Sequence, residues 1–260
     1  MRPLPPPESP VSRLPRALPL ALAALSALLA ATSSRAADAC TAAGARVVPT
    51  VVELYTSEGC NSCPPADRWL STLKSDPSVV ALAFHVDYWD RLGWKDRFAS
   101  PAFTARQAAE QATNGARFSY TPQVVVDGRD RTDWSRARLA AASRPTATVD
   151  VALAQHGDRF VATVTPGAAA PKRLAAYWAV TEQGHSTAVR AGENEGATLH
   201  HDFVVRDYAA VAAWAARTGT AESLAFTPTT HGDAAHPRSV NLVVVDAATG
   251  RPVQAVKVGC

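Results

Sequence analysis

Two cysteines three positions apart, Cys60 and Cys63, are the residues in this sequence best suited to chemistry. They follow an apolar segment that predicts a buried strand, and they lie in the segment 60–74, which predicts a helix with Pro64 and Pro65 in its first turn. At a helix N-terminus, peptide N–H groups and the helix dipole favour a thiolate, which makes a cysteine nucleophilic. The spacing therefore predicts a redox pair in which Cys60 attacks a disulfide and Cys63 resolves the mixed disulfide.

Two other uses of the Cys60–Cys63 spacing remain as alternatives. Thiolates suit Cu(I), although the only methionine of the chain is Met1. A zinc site would need a second Cys or His pair, and no second Cys-x-x-Cys motif exists, so no zinc site is predicted. The remaining alternative is a non-catalytic binding module in which the two cysteines form a structural disulfide.

A second signal lies downstream, where Thr121 and Pro122 directly precede a predicted strand that begins at Gln123. We expect Pro122 to be cis and to face the cysteines, which would leave the backbone of Thr121 free to pair with an extended substrate chain. An ordinary trans proline before a strand is the alternative.

The pattern of apolar residues and turn residues divides the chain into two predicted parts. The first part has the order β-α-β-α-β-β-α, which is typical of an α/β sheet with flanking helices. After the boundary at 143–146, short strands separated by Gly, Pro, Asp or Asn predict an antiparallel sandwich. The fold class expected is therefore α/β, with a thioredoxin-like domain over 37–143 and an all-β, sandwich-like domain over 147–260. The predicted elements are strands 47–55, 79–87, 123–126, 129–132, 147–153, 159–164, 174–180, 201–206, 223–226, 240–246 and 255–258, helices 60–74, 101–111 and 134–142, and an ambiguous segment at 209–217.

Residues 1–36 have the features of a cleaved secretory signal peptide: a basic start, an apolar run at 18–31 and small residues before Asp38. An uncleaved N-terminal anchor is the alternative. Without these residues the formal net charge falls from +3 to zero, so nothing in the charge points to nucleic acid or an anionic membrane. We expect a periplasmic or secreted protein without stable membrane insertion once the signal is removed.

The other two cysteines, Cys40 and Cys260, lie at the ends of the mature chain. An oxidising compartment would allow them to pair, and a bond closing a loop of about 220 residues would be worth roughly 5 kcal/mol in the chain-entropy model. We predict a structural disulfide here. Two free or intermolecularly paired thiols are the alternative.

Asp87, Tyr88 and Trp89 follow the second predicted strand, at the carboxyl edge where α/β sheets place their sites. They are candidates for the wall of a substrate groove, and an aromatic loop that only packs is the alternative. The polar stretch 192–196, which forms a cluster with His200, His201 and Arg206, is interpreted as turns with solvated charges, and a cluster that holds a ligand or completes the cleft is the alternative. The neighbouring pair His200 and His201 would point to opposite faces of a strand, which makes a poor chelate.

Several motifs together resemble a bacterial secreted family, domain of unknown function 1223, which is understood as thioredoxin-like. The motifs lie at 53–67, 85–90, 93–94, 120–123, 192–194 and 204–206. The resemblance implies a thioredoxin-like fold, but the dipeptide Asn61-Ser62 differs from the Gly-Pro and Pro-His of familiar oxidoreductases. In such proteins a buried carboxylate relays protons, and Glu53 is the candidate for that role. A carboxylate turned to solvent or a structural ion pair is the alternative for Glu53.

These observations predict an extracytoplasmic thiol–disulfide oxidoreductase whose only redox group is the disulfide itself. Its expected partners are exported proteins that contain cysteines and a membrane-linked redox donor. No nucleophile elbow, metalloprotease, phosphate-loop or dinucleotide motif is present, so hydrolase and nucleotide-binding functions have no support.

Overall fold

The computed structural model describes residues 1, 4, 40–136, 139 and 144–259, and Asp38–Cys260 form one compact unit. The predicted signal peptide falls, except for positions 1 and 4, outside the described residues, as does Cys260 of the predicted Cys40–Cys260 disulfide. Within the described part of the chain, no helix is both long and apolar enough to cross a bilayer.

The described residues contain many strands and few helices. The strands are β1 (Thr41–Ala43), β2 (Thr50–Thr56), β3 (Val79–His85), β4 (Gln123–Val126), β5 (Arg129–Asp130), β6 (Val149–His156), β7 (Arg159–Pro166), β8 (Arg173–Glu182), β9 (His185–Ala188), β10 (Thr198–His201), β11 (Val204–Ala215), β12 (Glu222–Phe226), β13 (Arg238–Asp246) and β14 (Pro252–Val258). The α-helices are α1 (Pro64–Ser71) and α2 (Pro101–Asn114), and short 3₁₀ helices span Thr72–Ser75, Asp90–Leu92 and Trp134–Arg136.

Three sheets organise these strands. The largest is mixed and has the order β14-β13-β8-β11-β3-β2-β4-β5. A four-stranded sheet has the order β1-β6-β7-β12, and β9 and β10 form a separate antiparallel pair. In the large sheet β2 and β3 are parallel and buried along their whole length, which fits their almost continuous apolar sequences.

Helix α2 begins at Pro101, as predicted, but runs to Asn114 instead of ending at Gln111, and α1 spans Pro64–Ser71 instead of the predicted 60–74. Prolines occupy the first turns of both helices, where the missing N–H groups leave no hydrogen bond unmade. The Ser100 hydroxyl caps α2 by accepting a hydrogen bond from the amide of Ala102 at 3.2 Å. Gly115, in the left-handed conformation at φ 87°, ends α2.

Side-chain alternation in the large sheet creates two packed faces. On one face, α1 covers β2 and β3 through Ala66 and Leu70, and the four-stranded sheet covers β8, β13 and β14 around Trp178. On the other face, Phe103 of α2 packs among the apolar side chains of β2, β3 and β8.

The prediction of a thioredoxin-like α/β domain followed by a β sandwich is wrong. The described chain is predominantly β, and its largest sheet joins β2 to β5 with β8, β11, β13 and β14. The seam is the parallel pairing of β11 with β3, where Val204 lies opposite Ala83 and the Ala83 amide donates to the Phe203 carbonyl at 2.8 Å. The pattern of apolar residues identifies strands, but it does not say which distant strand will complete an edge.

Two local predictions also change near this seam. The predicted strand 201–206 is two strands, β10 and β11, which are separated by Asp202 and by Phe203 at φ 57°. The ambiguous segment 209–217 continues β11 as far as Ala215. Of the predicted helix 134–142, the described residues show only the 3₁₀ turn Trp134–Arg136.

A buried ion pair ties the two halves of the large sheet together. The guanidinium of Arg106, on α2, donates to Glu53 Oε1 on β2 at 2.7 Å, and Tyr177 on β8 donates to the same oxygen at 2.5 Å. The Arg106 guanidinium also lies 4.0 Å from the Tyr177 ring centre and donates to the Tyr208 hydroxyl at 3.0 Å. Burial alone would lower the pKa of Arg106, but the charge of Glu53 raises it well above its usual value, so the guanidinium stays charged.

Replacing Arg106 should destabilise the whole unit. We expect Arg106→Met to lower the free energy of unfolding by about 3–5 kcal/mol, because it leaves the Glu53 carboxylate buried without a cation. The double variant Glu53→Gln/Arg106→Met should recover part of that loss. Urea denaturation measures both, and Arg131→Met in the exposed Arg131–Asp133 pair is the matched control, with an expected change of about 1 kcal/mol or less. An equal loss in Arg106→Met and Arg131→Met would contradict this role.

Candidate functional site

Cys60 and Cys63 form a disulfide in the segment between β2 and α1. Cys63 is the N-cap residue of α1, and its carbonyl accepts hydrogen bonds from the amides of Ala66 and Asp67. Cys60 lies in the preceding turn, where its own carbonyl accepts from the Cys63 amide at 3.2 Å. The structure thus places the cysteine pair at the start of a helix, as the spacing predicts.

Both cysteines are fully buried, with 0% of their surface exposed, whereas Asn61 and Ser62 between them are exposed. The Ser62 hydroxyl lies 3.4 Å from Cys60 Sγ. An incoming thiolate has no open path to either sulfur in this conformation. Whatever covers the disulfide therefore controls its reactivity.

The cover loop, which we define as residues 189–197 between β9 and β10, lies over the cysteine segment. The Asn194 side-chain amide donates to the carbonyls of Glu58 at 2.9 Å and Cys60 at 3.0 Å. The Asn61 amide donates to the Glu193 carboxylate at 3.1 Å. The polar stretch that the sequence suggested to be solvated turns is therefore part of the candidate site.

Trp89 and Trp94 pack against glycines at this contact. A Cβ atom at Gly59 would lie 3.0 Å from the Trp89 Cβ, and one at Gly192 would lie 3.3 Å from the Trp94 Cβ. Gly192 also has a φ of 77°, which disfavours a side chain. Glycine is favoured at both positions because the tryptophan side chains approach the backbone so closely.

The Thr121–Pro122 peptide bond is cis, the configuration expected for it. The Thr121 hydroxyl accepts a hydrogen bond from Trp89 Nε1 at 2.8 Å, and Trp89 in turn contacts Gly59 next to Cys60. The structure therefore brings Thr121, Pro122 and Trp89 into the neighbourhood of the cysteine pair.

Two other predicted site residues have different surroundings. The Asp87 carboxylate accepts a hydrogen bond from the Thr104 hydroxyl at 2.5 Å and so fastens its loop to α2. Tyr88 is half-buried and packs beside Trp89, with ring centres 6.3 Å apart. Neither residue shares a hydrogen bond with the cysteine segment.

The structure does not bring Glu53 to the cysteines. Alternation along β2 turns Val52, Leu54 and Thr56 toward α1, and it turns Glu53 toward α2 and Arg106. Glu53 thus occupies the structural ion pair that was the alternative to proton transfer.

A group of buried polar side chains that sequence reasoning missed lies behind the disulfide. We call it the buried cluster, and it consists of Glu58, Asp67, His85, Asp96 and His201. Asp96 Oδ2 lies 2.6 Å from His85 Nδ1, and His201 lies between Glu58 and Asp67, 3.4 Å and 3.7 Å from their nearest oxygens. The only hint in the sequence is the alternation along β10, which buries His201 and leaves His200 exposed.

Charges in the buried cluster shift its acid–base properties. Burial alone would raise the pKa of Asp96, but the charge of His85 and its hydrogen bond outweigh burial and lower that pKa to about 2. Burial alone would lower the pKa of His201, but the nearby carboxylates of Asp67 and Glu58 outweigh burial and raise it to about 9. The cluster therefore favours positive charge at its centre.

Fold and site together define a predominantly β protein with a covered Cys-x-x-Cys disulfide above a buried histidine–carboxylate cluster. A family model described as protein of unknown function (DUF1223) matches residues 51–245, so the chain belongs to this family. No curated protein matches the chain.

Two solved structures are similar. Protein AGR_C_4864 from Agrobacterium tumefaciens is 28% identical, with a TM-score of 0.61, over 82% of this chain and 95% of that one. HBP35 of Porphyromonas gingivalis is 17% identical, with a TM-score of 0.56, over 82% of this chain and 76% of that one. The second similarity concerns the fold alone.

Weakening the cover loop should expose the disulfide. Asn194→Ala removes two hydrogen bonds to the cysteine segment, each with a net worth of about 0.5–1.5 kcal/mol, so we expect about tenfold faster reduction by a small thiol. Alkylation of released thiols, followed by mass spectrometry, gives the rate. Glu195→Ala, in the same loop but exposed, is the matched control and should leave the rate unchanged. Equal rates for Asn194→Ala and the wild type would show that the loop does not limit access.

Proposed function

We propose that Cys60–Cys63 is a redox-active disulfide that exchanges with cysteines of other exported proteins once the cover loop moves. The periplasmic or secreted location is part of this proposal and depends on the signal-like sequence of residues 1–36. The observation that carries the proposal is the polar nature of the contact over the disulfide.

That contact consists of two hydrogen bonds that Asn194 donates to the cysteine segment and one that Glu193 accepts from it. Glu193 is exposed and Asn194 is only partly buried, so water can replace these bonds when the loop lifts. A contact built from apolar side chains would be far more costly to open. The burial of the sulfurs is therefore compatible with intermittent access.

A purely structural role would gain little from this disulfide. In the chain-entropy model, a bond that closes a four-residue loop contributes only about 2 kcal/mol, against about 4.7 kcal/mol for a loop of 100 residues. The segment is already held by α1 on one side and the cover loop on the other. A weak link within an already anchored segment favours chemistry over stabilisation.

The exchange involves two thiolate attacks. A partner thiolate attacks Cys60 Sγ, which breaks the Cys60–Cys63 bond and releases the Cys63 thiolate. A second thiolate of the same partner then attacks the partner's sulfur in the mixed disulfide and releases the Cys60 thiolate. The partner loses two electrons and becomes a disulfide, and the cysteine pair gains them as a dithiol; the reverse sequence reduces a partner disulfide.

Thr121 and Pro122 are candidates for the surface that holds the partner chain. Both are half-buried, and both precede β4, so they lie just outside its hydrogen-bonded ladder. The hydrogen bond from Trp89 fixes the Thr121 side chain. An extended partner segment laid beside Thr121 would be near the cysteine segment, since Trp89 contacts both places.

Exchange activity tests the proposal directly. We expect the wild type to catalyse insulin reduction in the presence of dithiothreitol, Asn194→Ala to be faster, and Cys60→Ser to retain only the uncatalysed rate. Cys63→Ser, expressed with its leader in a bacterial host, should accumulate mixed disulfides that vanish on reduction. Asn61→Ala is the control for a change between the cysteines.

Two results would reject the exchange function. One is equal insulin reduction by the wild type and Cys60→Ser. The other is inactivity of Asn194→Ala despite faster reduction of its disulfide by a small thiol, which would leave a structural disulfide as the correct interpretation. Stoichiometric Cu(I) uptake by the reduced wild type, lost in Cys60→Ser, would instead support metal handling by the thiolates.

A further inference from the structure

The buried cluster has more negative charge than its protein partners balance. Glu58, Asp67 and Asp96 are all buried, and among the described residues only histidines form ion pairs with them. Buried carboxylates are otherwise paired with cations or bound to metal ions. The buried cluster therefore needs an additional cation.

Several polar atoms in the cluster are buried without a hydrogen-bond partner. They are Glu58 Oε1, His85 Nε2 and both ring nitrogens of His201. Such atoms normally have a partner, and each one left alone is costly. His85 is 0% exposed and His201 is 2% exposed, so bulk water is not available to them.

We propose that Asp67, His85 and His201 bind a divalent transition-metal ion of the zinc class. One ligand atom from each of the three residues lies within 4.8 Å of the others. Asp67 Oδ1 and His201 Nδ1 are 3.7 Å apart. Two atoms that each lie about 2.1 Å from one ion are about 3.4 Å apart in a tetrahedral site, so a small inward shift completes the geometry.

The second contacts of these ligands match those of known metal sites. In such sites a ligating histidine donates its other N–H to a carboxylate, which fixes the ring and its tautomer. His85 Nδ1 lies 2.6 Å from Asp96, which leaves Nε2 to face the ion. His201 Nε2 lies 3.4 Å from Glu58, an ion-pair contact without a hydrogen bond in this structure, and this contact leaves Nδ1 to face the ion.

The remaining ligand is oriented in the same way. Asp67 Oδ2 accepts a hydrogen bond from the Thr56 hydroxyl at 3.1 Å, so Oδ1 is the oxygen turned toward His201. Asp67 lies on α1, His85 ends β3 and His201 ends β10, so three separate elements hold the ligands. A cavity of about 60 Å³ between α1 and β10 is lined by Asp67 and His201.

Two imidazoles and one carboxylate suit Zn²⁺, Co²⁺ and related ions better than Ca²⁺ or Mg²⁺, which prefer oxygen ligands. The sulfurs of Cys60 and Cys63 are not ligands in this proposal, because they are bonded to each other. The site is therefore distinct from Cu(I) held by thiolates, and it does not depend on the exchange function.

Metal titration of the intact, oxidised protein tests the site. After removal of metals with a chelator, we expect the wild type to bind one Zn²⁺ per chain by calorimetry and to show a rise in Tm with Zn²⁺. Co²⁺ should give the visible absorption of a tetrahedral complex. His85→Asn and Asp67→Asn should weaken Zn²⁺ binding at least 100-fold, and the exposed neighbour variant His200→Asn should bind as the wild type does.

The cysteine-free variant Cys60→Ser/Cys63→Ser separates this site from the thiols and should keep Zn²⁺ binding. Absence of one-to-one binding by the wild type would overturn the proposal even if the ligand variants failed to fold. So would loss of Zn²⁺ binding in the cysteine-free variant, or equal weakening by His200→Asn and His85→Asn. In those cases the cluster holds protons only, or the metal lies elsewhere.

Discussion

The rest of the structure depends on the packing of one continuous segment, residues 189–206, against the cysteine segment and α1. At its start, Asn194 binds the backbone on both sides of Gly59. In its middle, His201 reaches under α1 to Asp67, and at its end Val204 pairs with β3. Because these contacts lie along one stretch of chain, a single docking event covers the disulfide, completes the buried cluster and joins the two halves of the large sheet.

Buried charge is the second constraint on the architecture. The face of β2 and β3 toward α2 contains Glu53 with Arg106, an ion pair supported by three tyrosine hydroxyls. The face toward α1 contains three carboxylates whose only ion-pair partners among the described residues are histidines. The first group pairs its buried carboxylate with a guanidinium, whereas the second would gain a full balancing charge only from added protons or a metal ion. This difference identifies the α1 side as the one arranged for chemistry.

The sequence was informative where structure depends on neighbours along the chain. The bounds of β4 and the start of α2 at Pro101 follow from short-range rules, and both agree with the structure. The pairing of β11 with β3 depends on residues more than 100 positions apart, and no local pattern encodes it. That one pairing is why the predicted fold class was wrong.

Residues of the candidate site could likewise be predicted where short motifs define them, and not where their role depends on a distant element. The cysteine pair, Thr121 and Pro122 belong to short motifs, so they could be recognised one at a time. Alternation along β2 places Glu53 and Thr56 on opposite faces of the strand. Once the face of β2 that α1 covers is known, the strand assignment therefore places Glu53 away from the disulfide.

His201 and Asp96 could not be recognised, because each acquires its meaning only from a partner on a distant element.

The disulfide and the buried cluster share a backbone but not their ligand atoms, and this separation explains how one small region can support two kinds of chemistry. Glu58 precedes Cys60 by two residues and Asp67 follows Cys63 by four, so the chain that holds the sulfurs also presents two carboxylates inward. A cation bound behind α1 would anchor Asp67 and His201 while the cover loop, at the opposite end of β10, is displaced. The base of the site would then stay ordered during opening, because the hydrogen bonds that must break belong to Asn194 and Glu193 and none belongs to the ligands.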